Sequence, residues 1–261
     1  MRELFNSRVA LMALVAIVGF GRNVKAADAD APATQPTTQP GSAPLFSDDF
    51  ESGSIDTAKW DVRVAGKATV KVEQDKAAHG KSALQIHYPS GSGSKDYGFI
   101  VAAHLPDAVR EHFFGRASMF VSASIPVGHD PAIFAGSPGW PVSNFLELGL
   151  HGTTLQPSYQ QNGANIARAE TIKRTTTTYP MGKWFLMEFE FNDKPDAMTI
   201  WIDGNKVQSP TFAYGGAATN LTKGFSDFGF GFRAWGAGAK ADFDMYYDDI
   251  AIDTKRIGPV K

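Results

Sequence analysis

From Leu45 onward, apolar and polar residues alternate with a period of two. Phe185, Met187, Phe189 and Phe191 interleave with Leu186, Glu188 and Glu190. Met198, Ile200 and Ile202 interleave with Thr199 and Trp201, and Phe228, Phe230 and Phe232 with Gly229 and Gly231. Successive side chains of a strand point to opposite faces, so each stretch reads as a strand with one face on a core. Asp203-Gly204-Asn205 is a tight-turn signal, and Asn192 to Asp196 reads as a loop between two of these strands. Helical periodicity is not sustained here; Pro106 to Phe114 is a candidate short helix. Many short strands punctuated by turns predict an all-β fold, a jelly-roll β-sandwich of two antiparallel sheets.

The N-terminus follows another pattern. Arg2 and Arg8 precede an uninterrupted apolar run, Val9 to Phe20, and Val24-Lys25-Ala26 then carries small residues at the −3 and −1 positions of a cleavage site. As a helix the run is about 18 Å long, short of a bilayer core of about 30 Å. The segment 1–26 reads as a cleaved secretory signal, which implies a secreted or periplasmic protein with no membrane association after cleavage. Residues 27–44 are rich in Pro, Thr, Ala and Gln and read as a disordered spacer, leaving 45–261 as the folded domain. The chain has no Cys, so disulfides cannot supplement the core. The formal charge is −2 with Arg2, Arg8, Arg22 and Lys25 in the signal, so the mature domain is more acidic still. That balance argues against nucleic acid as a partner. A monomer is expected.

Two stretches at opposite ends carry a family resemblance. Asp48-Asp49-Phe50-Glu51-Ser52-Gly53 is followed by Lys59-Trp60, and Tyr246-Tyr247-Asp248-Asp249-Ile250-Ala251-Ile252 is followed by Lys255-Arg256-Ile257-Gly258. Between them, Ala78-His79-Gly80-Lys81-Ser82, Gly115-Arg116-Ala117 and Trp201 to Asn205 extend it. The chain resembles the cellulose-induced secreted proteins of fungi and the related glucuronan lyases of polysaccharide lyase family 20. The resemblance implies a concanavalin-A-like jelly roll acting on polysaccharide. It also implies a structural calcium site, matched here by the Glu51 and Asp249 side chains with backbone oxygens near His79 and Ser82. The acidic ends give a reason: pairing of first and last strands would bring carboxylates together, where they repel unless a cation intervenes. Hard oxygen donors suit Ca²⁺, which takes 6–8 of them.

The candidate chemistry centres on Asn144 to His151. If Leu146, Leu148 and Leu150 face the core, then Glu147 and His151 share the other face, about 13 Å apart. A uronan lyase must neutralise the substrate carboxylate, remove the proton at C5 and protonate the leaving oxygen at C4. His151, Asn144 and Arg233 are candidate neutralisers, and Tyr159 or His151 the candidate proton carrier. Trp235 or Trp140 offers a ring for a sugar to lie on, and Gln161 a polar contact beside Tyr159. Trp184 and Trp201 read as sandwich packing. The chain departs from the family where the groove strand has Glu147 in place of an Arg and His151 in place of a Gln. A carboxylate there repels a uronate and leaves Glu147 as an acid/base or a contact to neutral hydroxyls.

Three activities therefore compete: a polysaccharide lyase working by β-elimination, a non-catalytic lectin-like carbohydrate-binding domain, and a glycoside hydrolase. Hydrolysis ranks last, because the Glu-x-Asp-x-x-Glu pattern of laminarinase-like sandwiches is absent.

Overall fold

The computed structural model describes residues 43–123, 125, 128–136, 144–163, 166–212, 224–236 and 238–260. Residues 1–42, which hold the expected signal and most of the expected spacer, lie outside them. In chain order the first strands are β1 (Phe46–Asp48), β2 (Trp60–Ala65), β3 (Thr69–Glu73), β4 (Ala83–Tyr88), β5 (Tyr97–Ala102) and β6 (His112–Val121). Next come β7 (Gly128–Gly136), β8 (Asn144–His151), β9 (Thr154–Gly163), β10 (Ile166–Ile172) and β11 (Phe185–Asp193). The chain closes with β12 (Asp196–Ile202), β13 (Asn205–Gln208), β14 (Asp227–Phe232), β15 (Trp235–Gly236) and β16 (Phe243–Asp253).

One sheet runs β13-β12-β11-β6-β16-β4-β3, with β1 paired to β16. The second runs β10-β9-β8-β7-β14-β5-β2, with β15 paired to β7. Neighbouring strands in both are antiparallel, the sandwich that the alternation predicts. The β1–β16 pairing also joins the two ends of the domain, with Asp48 opposite Ile250.

Two local expectations change. Pro106 to Phe114 is no helix beyond a single 3₁₀ turn at Asp107–Val109; the chain has entered β6 by His112. A stretch that short cannot offset helix nucleation, and Phe113 is needed in the core. Asn192 to Asp196 is a tight hairpin rather than a loop, with Asp193 directly opposite Asp196 across Lys194-Pro195.

The inner faces of the two sheets make one core. Phe185, Met187, Phe189, Phe191, Met198, Ile200, Phe228, Phe230 and Phe232 all belong to it. Burying each such side chain contributes about 1.5–3 kcal/mol. Gly115 in β6 makes room for a ring of β11: a Cβ there would lie 2.2 Å from Phe189 Cε2. Two polar side-chain groups at the core find partners. Trp60 Nε1 donates to Asp48 Oδ2 at 2.7 Å. The Tyr247 hydroxyl donates across the sandwich to the carbonyls of Ala132 (3.0 Å) and Gly231 (3.2 Å) in the second sheet.

β16 contains an irregularity between Asp248 and Ala251, where Asp249 takes φ +51°. The extra residue resets the alternation, so Met245 and Tyr247 before it and Ile250 and Ile252 after it all face the core.

Candidate functional site

Leu146, Leu148 and Leu150 of β8 lie in the core, so Phe145, Glu147, Gly149 and His151 face away from it. Register with β9 sets Gln160 opposite Phe145, Ser158 opposite Glu147 and Gln156 opposite Gly149. The outer face thus has a carboxylate, two amides and a hydroxyl side by side. These four are buried all the same: Glu147 is 1% exposed, Ser158 0%, Gln156 3% and Gln160 5%. His151 at the strand end is half-buried.

Beside this polar row lies an apolar one. Phe99 and Val101 of β5 and Phe134 of β7 form a second, smaller cluster, flanked by Tyr97 and Phe145. Glycine in the intervening β14 makes it possible. A Cβ on Gly229 would meet Phe134 Cζ at 2.7 Å, and one on Gly231 would meet Phe99 Cδ1 at 2.3 Å. The rings occupy the space those side chains would take, and their centroids stand 5.8 Å apart. Arg233 follows β14; its Nε donates to the Ser94 carbonyl at 2.8 Å and its guanidinium sits 5.6 Å from the Tyr97 ring.

Register converges on one end of this face. Trp235 of β15 is opposite His129 of β7, and the next residue, Asp130, is opposite Leu150 of β8. Trp235 and His151 therefore lie at one level, two strand spacings or about 10 Å apart in backbone position. His129, which no sequence motif singles out, occupies the register position between them.

The remaining candidates distribute differently. Tyr159 does not share the face of Glu147. It is opposite Leu146, 1% exposed and part of the main core, with its ring 6.4 Å from Phe212. Directly paired residues of an antiparallel ladder point to the same side, so Tyr159 must follow the leucine. Asn144 has the same parity as the leucines and lies half-buried at the start of β8. Gln161 is opposite Asn144 and, like Trp235, is described through its backbone alone. Trp140 lies outside the described residues.

The Trp184 and Trp201 expectation is corrected as well. Neither belongs to the core. Trp201 lies between the core residues Ile200 and Ile202, hence on the outer face of the first sheet, with the Arg256 guanidinium 4.5 Å from its ring. Trp184 meets Phe120 and Tyr246 edge to face on that same side.

At the joined ends of the domain, Glu51 and Asp249 grip one loop. Glu51 Oε1 accepts from the backbone N–H of Lys81 and Ser82, both at 2.8 Å. Gly80 passes so close that a Cβ there would lie 2.4 Å from the same oxygen. Asp249 Oδ2 is 2.6 Å from His79 Nδ1 and accepts from Ser118 Oγ at 3.1 Å. Asp248 beside it accepts from the N–H of Ala78, His79 and Asp249, yet burial pushes its carboxyl up to about 6. Phe50 and Asp249 both hold positive φ, a conformation that non-glycine residues keep only where the surroundings enforce it. The donor type suits a hard cation. Among the described residues, however, no group of three or more His, Asp or Glu side chains is arranged to hold a metal, so carbonyl oxygens would have to complete the shell.

Comparison with known proteins places this architecture. No family model and no curated protein matches the sequence. Among solved structures, the cellulose-induced protein Cip1 superposes with a TM-score of 0.63 at 19% identity, over 82% of this chain and 100% of its own. An endo-β-1,4-glucuronan lyase from Trichoderma reesei gives 0.60 at 20% identity, over 82% and 96%. A Bacteroides ovatus family 16 glycoside hydrolase, solved with a mixed-linkage glucan product, gives 0.57 at 16%, over 80% and 99%. The chain has the concanavalin-A-like jelly-roll fold of these proteins.

Proposed function

We propose that this is an exported carbohydrate-active protein, cleaved after Ala26 and monomeric. In this reading it takes a polysaccharide across the outer face of the second sheet and breaks a uronate-containing chain by β-elimination. The observation that carries the reading is the register that brings the backbones of His151 and Trp235 to one end of a face floored by Glu147, Gln156, Ser158 and Gln160, with Arg233 just after β14. Amides and hydroxyls match sugar hydroxyls, and tryptophan is a residue type that matches the apolar face of a pyranose.

In the reaction, the His151 imidazole removes the C5 proton while Arg233 offsets the charge of the neighbouring uronate carboxylate. The C–H electron pair forms the C4–C5 double bond and the C4–O bond breaks. The departing oxygen takes up a proton from the imidazolium, returning His151 to its neutral form. A structural Ca²⁺ held by the Glu51 and Asp249 carboxylates, with backbone oxygens near His79 and Ser82, would brace the joined chain ends; it would compete with His79 for Asp249 Oδ2.

Incubation with a panel of uronans, followed at 235 nm, tests the chemistry, since elimination leaves an unsaturated, absorbing product. His151→Ala should lower the rate by 10²–10⁴-fold, the usual worth of acid–base help. A second reading, a non-catalytic binding domain, is favoured by Tyr159 facing the core and by Glu147, which would repel a uronate. Tight polysaccharide binding with no product from any uronan would leave that second reading standing.

A further inference from the structure

The outer face of the first sheet carries a group of side chains that the glycan face above does not use. In one row across three strands, Gln85 of β4 is opposite Tyr246 of β16, which is opposite Phe120 of β6. Trp184, just before β11, completes the row, its ring 5.8 Å from Phe120 and 6.3 Å from Tyr246. Two residues along, His87 is opposite Asp244.

Hydrogen bonds tie the polar members together. Gln85 Nε2 donates to the Tyr246 hydroxyl and to Asp244 Oδ1, each at 2.9 Å. His87 Nδ1 lies 2.8 Å from the same carboxylate oxygen, which turns its Nε2 away from Asp244 on a side chain 31% exposed. Lys76 spreads over the rings, its Nζ 3.5 Å from the Phe120 centroid and 5.2 Å from that of Tyr246.

This arrangement is separate from the sandwich core, although Phe120 is itself buried. Phe120, Trp184 and Tyr246 lie outside the sandwich core, and Trp184 and Tyr246 stay half-open to solvent. Two half-open rings, Trp184 and Tyr246, packed on the buried Phe120, stand beside an amide, an imidazole and a carboxylate, and so pair apolar surface with directional donors and acceptors. That pairing matches a pyranose, whose C–H face is apolar and whose rim is ringed with hydroxyls. The charges select further. The Lys76 ammonium offsets the Asp244 carboxylate, and Lys71 and Glu73 on the neighbouring strand form their own ion pair. The patch is close to neutral, which suits an uncharged chain rather than a polyanion. From Gln85 to Trp184 the row spans three strand spacings, about 14 Å, more than one sugar ring.

We infer that the Gln85–Tyr246–Phe120–Trp184 row, with His87, Asp244 and Lys76, is a second glycan-binding site for an uncharged pyranose polymer, on the sheet opposite the proposed lyase face. It would hold the protein on a neutral polysaccharide while the other face works on a different chain.

Native affinity gels and calorimetric titration of the mature chain with hydroxyethyl cellulose and mixed-linkage β-glucan test the site. Both glucans should retard the protein, and a soluble uronan should not displace them. Trp184→Ala should weaken binding about tenfold or more, the scale of losing an aromatic anchor. Tyr246→Phe keeps the ring and removes only the hydroxyl, so it reports on the site even if the tryptophan variant folds poorly; it should weaken binding severalfold. No retention by either glucan would overturn the inference, as would unchanged affinity in a folded Tyr246→Phe. Product formation from uronans at 235 nm is read separately and stays unaffected by these variants, so either reading can fail without the other.

Discussion

Tyr159 shows how much one residue's orientation decides. Its phenol is the kind of group that could carry a proton at C5, but it lies under the second sheet among core side chains, beside Phe212. Tyr159→Phe should therefore leave glycan binding and any turnover unchanged. It should cost only the buried hydroxyl's hydrogen bonding, about 1 kcal/mol, or a melting shift of about 2–4 °C. A hundredfold fall in turnover in a variant that melts normally would put Tyr159 back among the catalytic groups. Glu147, by contrast, takes the side of the strand that alternation predicts, because the three leucines around it face the core, but it is buried there rather than open to solvent.

At the scale of elements, the β11–β12 hairpin stores an electrostatic cost. Asp193 and Asp196 stand directly opposite each other, each 1% exposed. Burial pushes the Asp193 carboxyl above its ordinary range, against the pull of Lys194. The folded chain then keeps a proton that the unfolded chain releases above about pH 4, so this group's contribution to stability falls as pH rises past that point. Asp193→Asn removes the charge and keeps the shape. The variant should melt higher than the wild type at pH 7 and with it at pH 3; a lower melting temperature at pH 7 would mean the carboxylate is held by interactions stronger than its desolvation. The bulge in β16 is an element-scale feature partly legible in the sequence. Met245 and Tyr247 have odd numbers and Ile250 and Ile252 even ones, a change of phase that a regular strand cannot bury on one face. What the sequence could not say is that the slip turns Asp249 toward His79 and Ser118.

For the whole molecule, the joined ends are the point to test. If Ca²⁺ sits between Glu51 and Asp249, it binds the folded chain alone, and at 100 times its Kd it adds about 2.7 kcal/mol. Stripping it with a chelator should lower the melting temperature by about 5–10 °C, and adding Ca²⁺ back should restore it. Superimposable melts of the metal-free and calcium-loaded protein would contradict the site. The sequence by itself determined the sandwich and most of its core, because strand alternation is local: each run of Phe, Met, Leu or Ile at every second position declares its own buried face. Only the tertiary structure decided which neighbouring faces meet. Tyr159 turned inward and Trp184 outward because a side chain's direction relative to another strand depends on register, which is set by contacts distant in the chain. The convergence of Trp235, His129 and His151 has the same origin, since residues far apart in sequence share one level of the sheet through backbone pairing alone.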